Sequence, residues 1–204
     1  MDQYENLNDT QKDVLREIGN IGGGNAATAL SAILTGRIDM SLPELRIVNV
    51  SEIASLLGGP ENQVVGILVP MAGEIQGMLL FLLERQFTHM LINALLDKKI
   101  ESFEHINEMD LSALKEIGNI LAGSYINAIC TLTGLENRLM PPDIAIDMVG
   151  AILNYPAELF GAIGDHVIYI EEDFFSGDES IKSHLLVMPD PNSLKIMLER
   201  LGVA

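Results

Sequence analysis

Apolar positions along this chain repeat one order of elements twice. From Thr10 onward, Val14, Leu15, Ile18 and Ile21 recur at helical spacing, Asn8 or Asp9 is placed to cap, and small residues carry the predicted helix to Leu34. Pro43 disfavours helix in the residue before it, and "LPELRIVNV" then alternates like a strand. A short helix, "SEIASLLG", stops at Gly58-Gly59-Pro60. "QVVGILVP" and "EIQGMLLFLLE" read as an antiparallel hairpin around "MAGE", and "RQFTHMLINALLD" closes the half as an amphipathic helix. The second half predicts a helix from about Asp110 to Leu132, the strand "DIAIDMV" after Pro142, and a helix broken at Pro156. A hairpin of "HVIYIEE" and "SHLLVMP" follows, joined by the acidic "DFFSGDES", and then a last helix from about Pro191.

Each half therefore reads helix, strand, helix, two strands, helix, over about 9–99 and about 108–203. "LREIGNIGGGNAATAL" from Leu15 matches "LKEIGNILAGSYINAI" from Leu114, and "IQGMLLFLLERQFTHML" from Ile75 resembles "IKSHLLVMPDPNSLKIM" from Ile181. A repeat of about a hundred residues is too long for a solenoid unit. The expectation is an α+β fold: one pseudo-two-fold duplicated domain, with a shared, mainly antiparallel sheet of about six strands and the two motif-bearing helices packed on a face.

A polar cluster recurs within the repeat. The first copy reads Asp13-x3-Glu17-x2-Asn20, with Pro43 after twenty-two further residues; the second reads Ser112-x3-Glu116-x2-Asn119, with Pro142 at the same separation. Positions i, i+4 and i+7 stack on one helical face, so each copy presents a carboxylate beside an amide. One such copy would read as a solvated helix face, with Asp13 and Glu17 paired to Lys12 and Arg16; the repetition turns the reading toward function. A carboxylate can hold a cation, and an amide can both donate to and accept from a water molecule. The glycines after Asn20 each cost up to about 1 kcal/mol relative to alanine in a helix. Small side chains allow close approach of a neighbouring helix or of a docked partner.

Composition removes other classes. The formal charge of −17 over 204 residues repels phosphate backbones, and no basic patch appears, so nucleic acid is not expected. "GNIGGGN" follows a polar helical pattern rather than a buried strand, unlike a phosphate cradle. His89, His105, His166 and His184 are scattered and match no zinc spacing, no nucleophile elbow is present, and the single Cys130 sits in an apolar helical pattern as expected core. The acidic, polar start is unlike a secretory signal, and Pro70, Glu74 and Gln76 interrupt the most apolar run, so a cytoplasmic protein with no membrane insertion is expected.

The pattern Asp/Ser-x3-Glu-x2-Asn-x22-Pro, present twice, resembles the signature of the CheC/CheX/FliY phosphatases of bacterial chemotaxis, with no flagellar-switch domain expected at either end. The resemblance implies dephosphorylation of the aspartyl-phosphate response regulator CheY. Glu17 and Glu116 would pair with a regulator lysine, and Asn20 and Asn119 would orient the attacking water. Asp13 and Ser112 would lie at the edge of each site, and Pro43 and Pro142 would shape it. Mg²⁺ would belong to the regulator, and no cofactor or metal of the chain's own is implied. CheD is the second implied partner, with Asp143 and Asp147 on one strand face as its possible contact. The alternatives are a non-catalytic adaptor for CheY or CheD, and a structural part of the flagellar switch.

Overall fold

The structure is a computed structural model that describes residues 4, 6–34, 38–160, 166–176 and 179–204. The first half runs α1 (Asp9–Ile33), β1 (Asp39–Met40), β2 (Glu44–Asn49), α2 (Val50–Leu56), β3 (Gln63–Gly73), β4 (Gly77–Leu83) and α3 (Arg85–Leu96). The second runs α4 (Glu108–Thr133), β5 (Asn137–Leu139), β6 (Asp143–Met148), α5 (Val149–Phe160), β7 (His166–Ser176), β8 (Glu179–Pro189) and α6 (Pro191–Arg200), after a single 3-10 turn at Phe103–His105. The expected order appears twice, with one short strand added before the proline in each half, β1 and β5.

All eight strands join one antiparallel sheet in six positions, because β1 and β2 share one outer place beside β7, and β5 and β6 share the other beside β3. Each half thus lends its first strands to the edge of the other half. The centre is the β4–β8 ladder, where Leu80 faces Leu186. These two residues are also equivalent under the offset that aligns Ile75 with Ile181, so the pseudo-two-fold axis passes between them.

The sheet separates two apolar layers. Along β4, Leu79, Phe81 and Leu83 face the layer under α1, α3, α4 and α6, while Met78, Leu80 and Leu82 face α2 and α5. Alternation along a fully buried central strand supplies both layers at once.

Prolines mark where the outer strands break. Pro43 lies between β1 and β2, Pro142 between β5 and β6, and Pro70 on β3 between the stretch that pairs with β6 and the stretch that pairs with β5. A residue without an N–H is tolerated where the neighbouring strand is interrupted. The Pro70 carbonyl is still used, accepting from the Met140 N–H at 2.9 Å.

Some expectations shift. The "MAGE" turn moves later, since β3 continues past Pro70 to Gly73. The expected break at Pro156 does not occur: α5 runs through it, and the missing N–H only leaves the Ile152 carbonyl without its helical donor. "DFFS" and "ES" extend β7 and β8, while the tip residues 177 and 178 of that acidic connection lie outside the described residues. Cys130 is half-buried and packed against the core edge. His184 is buried and satisfied, bridging Tyr169 at 2.7 Å and Glu84 at 3.0 Å.

Candidate functional site

The N-termini of the two motif helices are held by the same device. In α1, the Asn8 side chain accepts from the Gln11 N–H, and Gln11 returns a bond to the Asn8 N–H, both at 2.9 Å. In α4, Asn107 and Asp110 form the equivalent capping box, and the fully buried Asp110 also accepts from the Lys98 ammonium at 2.6 Å. With their starts fixed, the inner stripes set the helical phase. Leu15 and Ile18 on α1, and Leu114 and Ile117 on α4, are buried.

That phase turns the motif outward. Asp13, Glu17, Ser112, Glu116 and Asn119 are exposed and Asn20 is half-exposed. Among the described residues, no hydrogen bond or ion pair holds Glu17, Asn20, Glu116 or Asn119. Each Glu/Asn couple is spaced three residues apart on one helix, so its two side chains are neighbours on the surface. The first motif position behaves differently in the two copies: Asp13 pairs with Arg16, whereas the Ser112 hydroxyl donates to its own helix at the Glu108 carbonyl, 2.9 Å away. Pro43 sits against α1, and Pro142 joins β5 and β6, strands that contact α4. A Cβ on Gly19, the residue before Asn20, would lie 3.9 Å from the Pro43 Cβ.

The two motif helices pack against each other, and their glycines have distinct surroundings. A Cβ at Gly22 would meet the Tyr125 ring of α4 at 2.5 Å, and one at Gly23 would meet the Met40 sulfur at 2.6 Å and press into the Glu172 carboxyl. Glu172 on β7 is buried beneath α1 and accepts a hydrogen bond from the Tyr125 hydroxyl. Burial pushes the Glu172 carboxyl up to about 7, against the opposing effect of that hydrogen bond. Burial and the neighbouring Glu172 drive the Tyr125 phenol well above its ordinary value. The second copy carries Leu121 and Ala122 where the first has Gly22 and Gly23. No local pattern signals the Tyr125–Glu172 pair, because its members are far apart along the chain and meet only through the fold.

Asp143 and Asp147 are exposed on the outer strand β6, with Ile144 and Ile146 turned toward α4 and the core. They stand at a cavity of about 320 Å³ lined also by Leu68, Leu80, Ile152 and Tyr155, on the α5 side of the sheet. The motif helices lie across the sheet from it, so the acidic strand face and the Glu/Asn couples form separate surfaces. Large apolar side chains are exposed near the motifs, namely Leu42 beside Pro43, Met109 three residues before Ser112, and Met140 two residues before Pro142. Among the described residues, no group of three or more His, Cys, Asp or Glu side chains could hold a metal ion, and no helix is long and apolar enough to cross a membrane.

Comparison with known proteins matches these same segments. The profile of the CheC-like family covers residues 11–47 and 109–146, the two motif helices with their prolines. The CheY-P phosphatase CheC of Bacillus subtilis (strain 168) is 31% identical over 208 aligned residues spanning all of both chains. The structure of Thermotoga maritima FliY superposes with a TM-score of 0.77 at 24% identity, covering 97% of this chain and 98% of that one. A chain of the CheX–CheY–BeF3–Mg²⁺ complex from Borrelia burgdorferi shares the fold with a TM-score of 0.54 at 18% identity, covering 82% of this chain and 94% of that one.

Proposed function

The chain belongs to the CheC-like family, and from that premise we propose that it is a protein phosphatase that dephosphorylates the phospho-aspartyl form of a CheY-type response regulator. The observation that carries this reading is that both Glu/Asn couples project from rigid helix faces with no partner within the described chain. Polar side chains held ready and unengaged suit a reaction centre completed by another molecule.

Each site works by positioning. Glu17 or Glu116 pairs with a lysine of the regulator, which fixes the helix over the acyl phosphate. Asn20 or Asn119, one turn away on the same face, holds a water in line with the bond to be broken. Water attacks phosphorus, the bond between phosphorus and the aspartyl oxygen breaks, and inorganic phosphate leaves with a free carboxylate behind it. An acyl phosphate is already activated, so orientation and charge stabilisation suffice without a covalent nucleophile. Mg²⁺ in the regulator neutralises the phosphoryl oxygens. Leu42, Met109 and Met140 supply apolar contact around the polar centres. CheD engages the separate acidic surface of Asp143 and Asp147 and modulates the activity. A cytoplasmic location follows from these partners.

The test is time-resolved phosphate release from phosphorylated regulator with wild type, Asn20→Ala, Asn119→Ala and the double variant. The double variant is expected to lose about a hundredfold of the stimulated rate, as when one transition-state contact is removed. Its fold should survive, because surface substitutions usually stay within about 0.5 kcal/mol. A double variant that still binds the regulator and turns it over at the wild-type rate would assign catalysis elsewhere. Saturable binding by a wild type that never accelerates phosphate loss would make the protein an adaptor.

A further inference from the structure

Six glycines lie inside the two motif helices, and three of them have an internal explanation. Gly22 admits Tyr125, Gly23 admits Glu172 and Met40, and Gly118 lies tight against Ile67, while a Cβ at the buried Gly19 would make ordinary contact with Ile170 at 3.4 Å. Gly24 and Gly123 differ. An added Cβ would find nothing within 4 Å at either position, and neither has a positive φ. The fold does not require them, yet each sits in a helix interior, where glycine is the least favourable residue short of proline.

Their placement is the same in both copies. Gly24 follows Asn20 by four residues, and Gly123 follows Asn119 by four. Residues at i and i+4 are surface neighbours on a helix, so each bare glycine backbone lies one turn beyond the amide, on the amide's own face. Leu121, Ala122 and Tyr125 of the second helix depart from Gly22, Gly23 and Ala26 of the first, so glycine persists at this position while its neighbours differ.

We propose that Gly24 and Gly123 are positioning residues of the two sites, kept free of a side chain so that the backbone of the phosphorylated regulator can seat against the helix at that turn. The contact lets the amide reach the acyl phosphate. The inference rests on the phosphatase reading and adds where the partner comes closest. A methyl group there meets nothing within this protein but holds the regulator off, and the amide retreats with the helix. A misplacement of about 1 Å in a positioned reaction can cost about a hundredfold.

The experiment uses the full chain carrying Gly24→Ala and Gly123→Ala together, with a second protein carrying leucine at both positions. Thermal unfolding and phosphate release from phosphorylated regulator are measured on each. The alanine protein is expected to be more stable than wild type and about tenfold or more slower in kcat/KM, with the leucine protein slower still. A stability gain together with an activity loss is an outcome that a purely structural role would not produce. Alanine and leucine proteins that turn over the regulator at the wild-type rate would overturn the proposal while leaving the phosphatase reading intact. A wild type that does not accelerate phosphate loss would overturn both.

Discussion

Replacing Glu172 with glutamine should change how stability depends on pH, and the size of the change follows from its surroundings. The carboxyl is buried between the Gly23 backbone of α1, the Met40 sulfur of β1 and the Tyr125 phenol of α4, opposite Ser183 on β8. Folded, it titrates at about 7; released into the unfolded chain it returns to an ordinary value of 4.5. Between those pH values the folded state holds a proton that the unfolded state has lost, so stability falls as pH rises through the window. Each pH unit of separation corresponds to about 1.4 kcal/mol, and the full loss is about 3 kcal/mol above pH 7. Glutamine does not titrate. The variant's stability relative to wild type should therefore climb by about 3 kcal/mol between pH 4 and 8, equivalent to roughly 6–12 °C in Tm for a chain of this size. Urea unfolding of both proteins across that range is the assay, and contributions from all other groups cancel in the difference. A difference that stays flat from pH 4 to 8 would refute the claim that this carboxyl is held neutral under α1.

Two further outcomes are expected. Gly19→Ala and Gly118→Ala alter the same letter of the repeated Glu-Ile-Gly-Asn motif, but a Cβ at Gly19 meets Ile170 at an ordinary 3.4 Å. One at Gly118 would lie 3.2 Å from the Ile67 Cδ1, 3.3 Å from its Cβ, and closer still to its Cγ2. Chemical denaturation should show the first gaining up to about 1 kcal/mol from helix propensity and the second losing about 1–2 kcal/mol from overpacking against a β-branched side chain. Asp143→Lys with Asp147→Lys should weaken CheD binding about tenfold in a titration and leave phosphate release without CheD at the wild-type rate, because the acidic strand lies across the sheet from the motif helices.

Much of this architecture can be read from local pattern. The Asn8 cap, the inner apolar stripes and the outward Glu/Asn couples all depend on spacing within one helix and appear where the local pattern puts them, whereas α4 begins at Glu108 behind an Asn107 cap, ahead of the expected start near Asp110. Pairing across the chain is different in kind. Nothing near residues 44–49 indicates that β2 will lie on β7 rather than on a strand of its own half, and nothing near Glu172 indicates that Tyr125 will reach it. Such contacts depend on how elements assemble, and only the fold supplies that. Pro156 errs in the other direction: a strong local rule predicted a break, and the packing of α5 on the sheet, with Val149 and Leu153 buried, carried the helix through. The glycines of α1 show both cases together, since the same residue type serves a buried neighbour at Gly22 and Gly23 and finds no neighbour at Gly24.

The lending of first strands between halves means that the molecule cannot be cut in two. A fragment ending near residue 100 would leave β3 without β6 and β4 without β8, two naked ladder edges ready to recruit foreign strands. Duplication here is a one-way step. Either copy can drift in its chemistry, even to silence, while its backbone stays indispensable to the other.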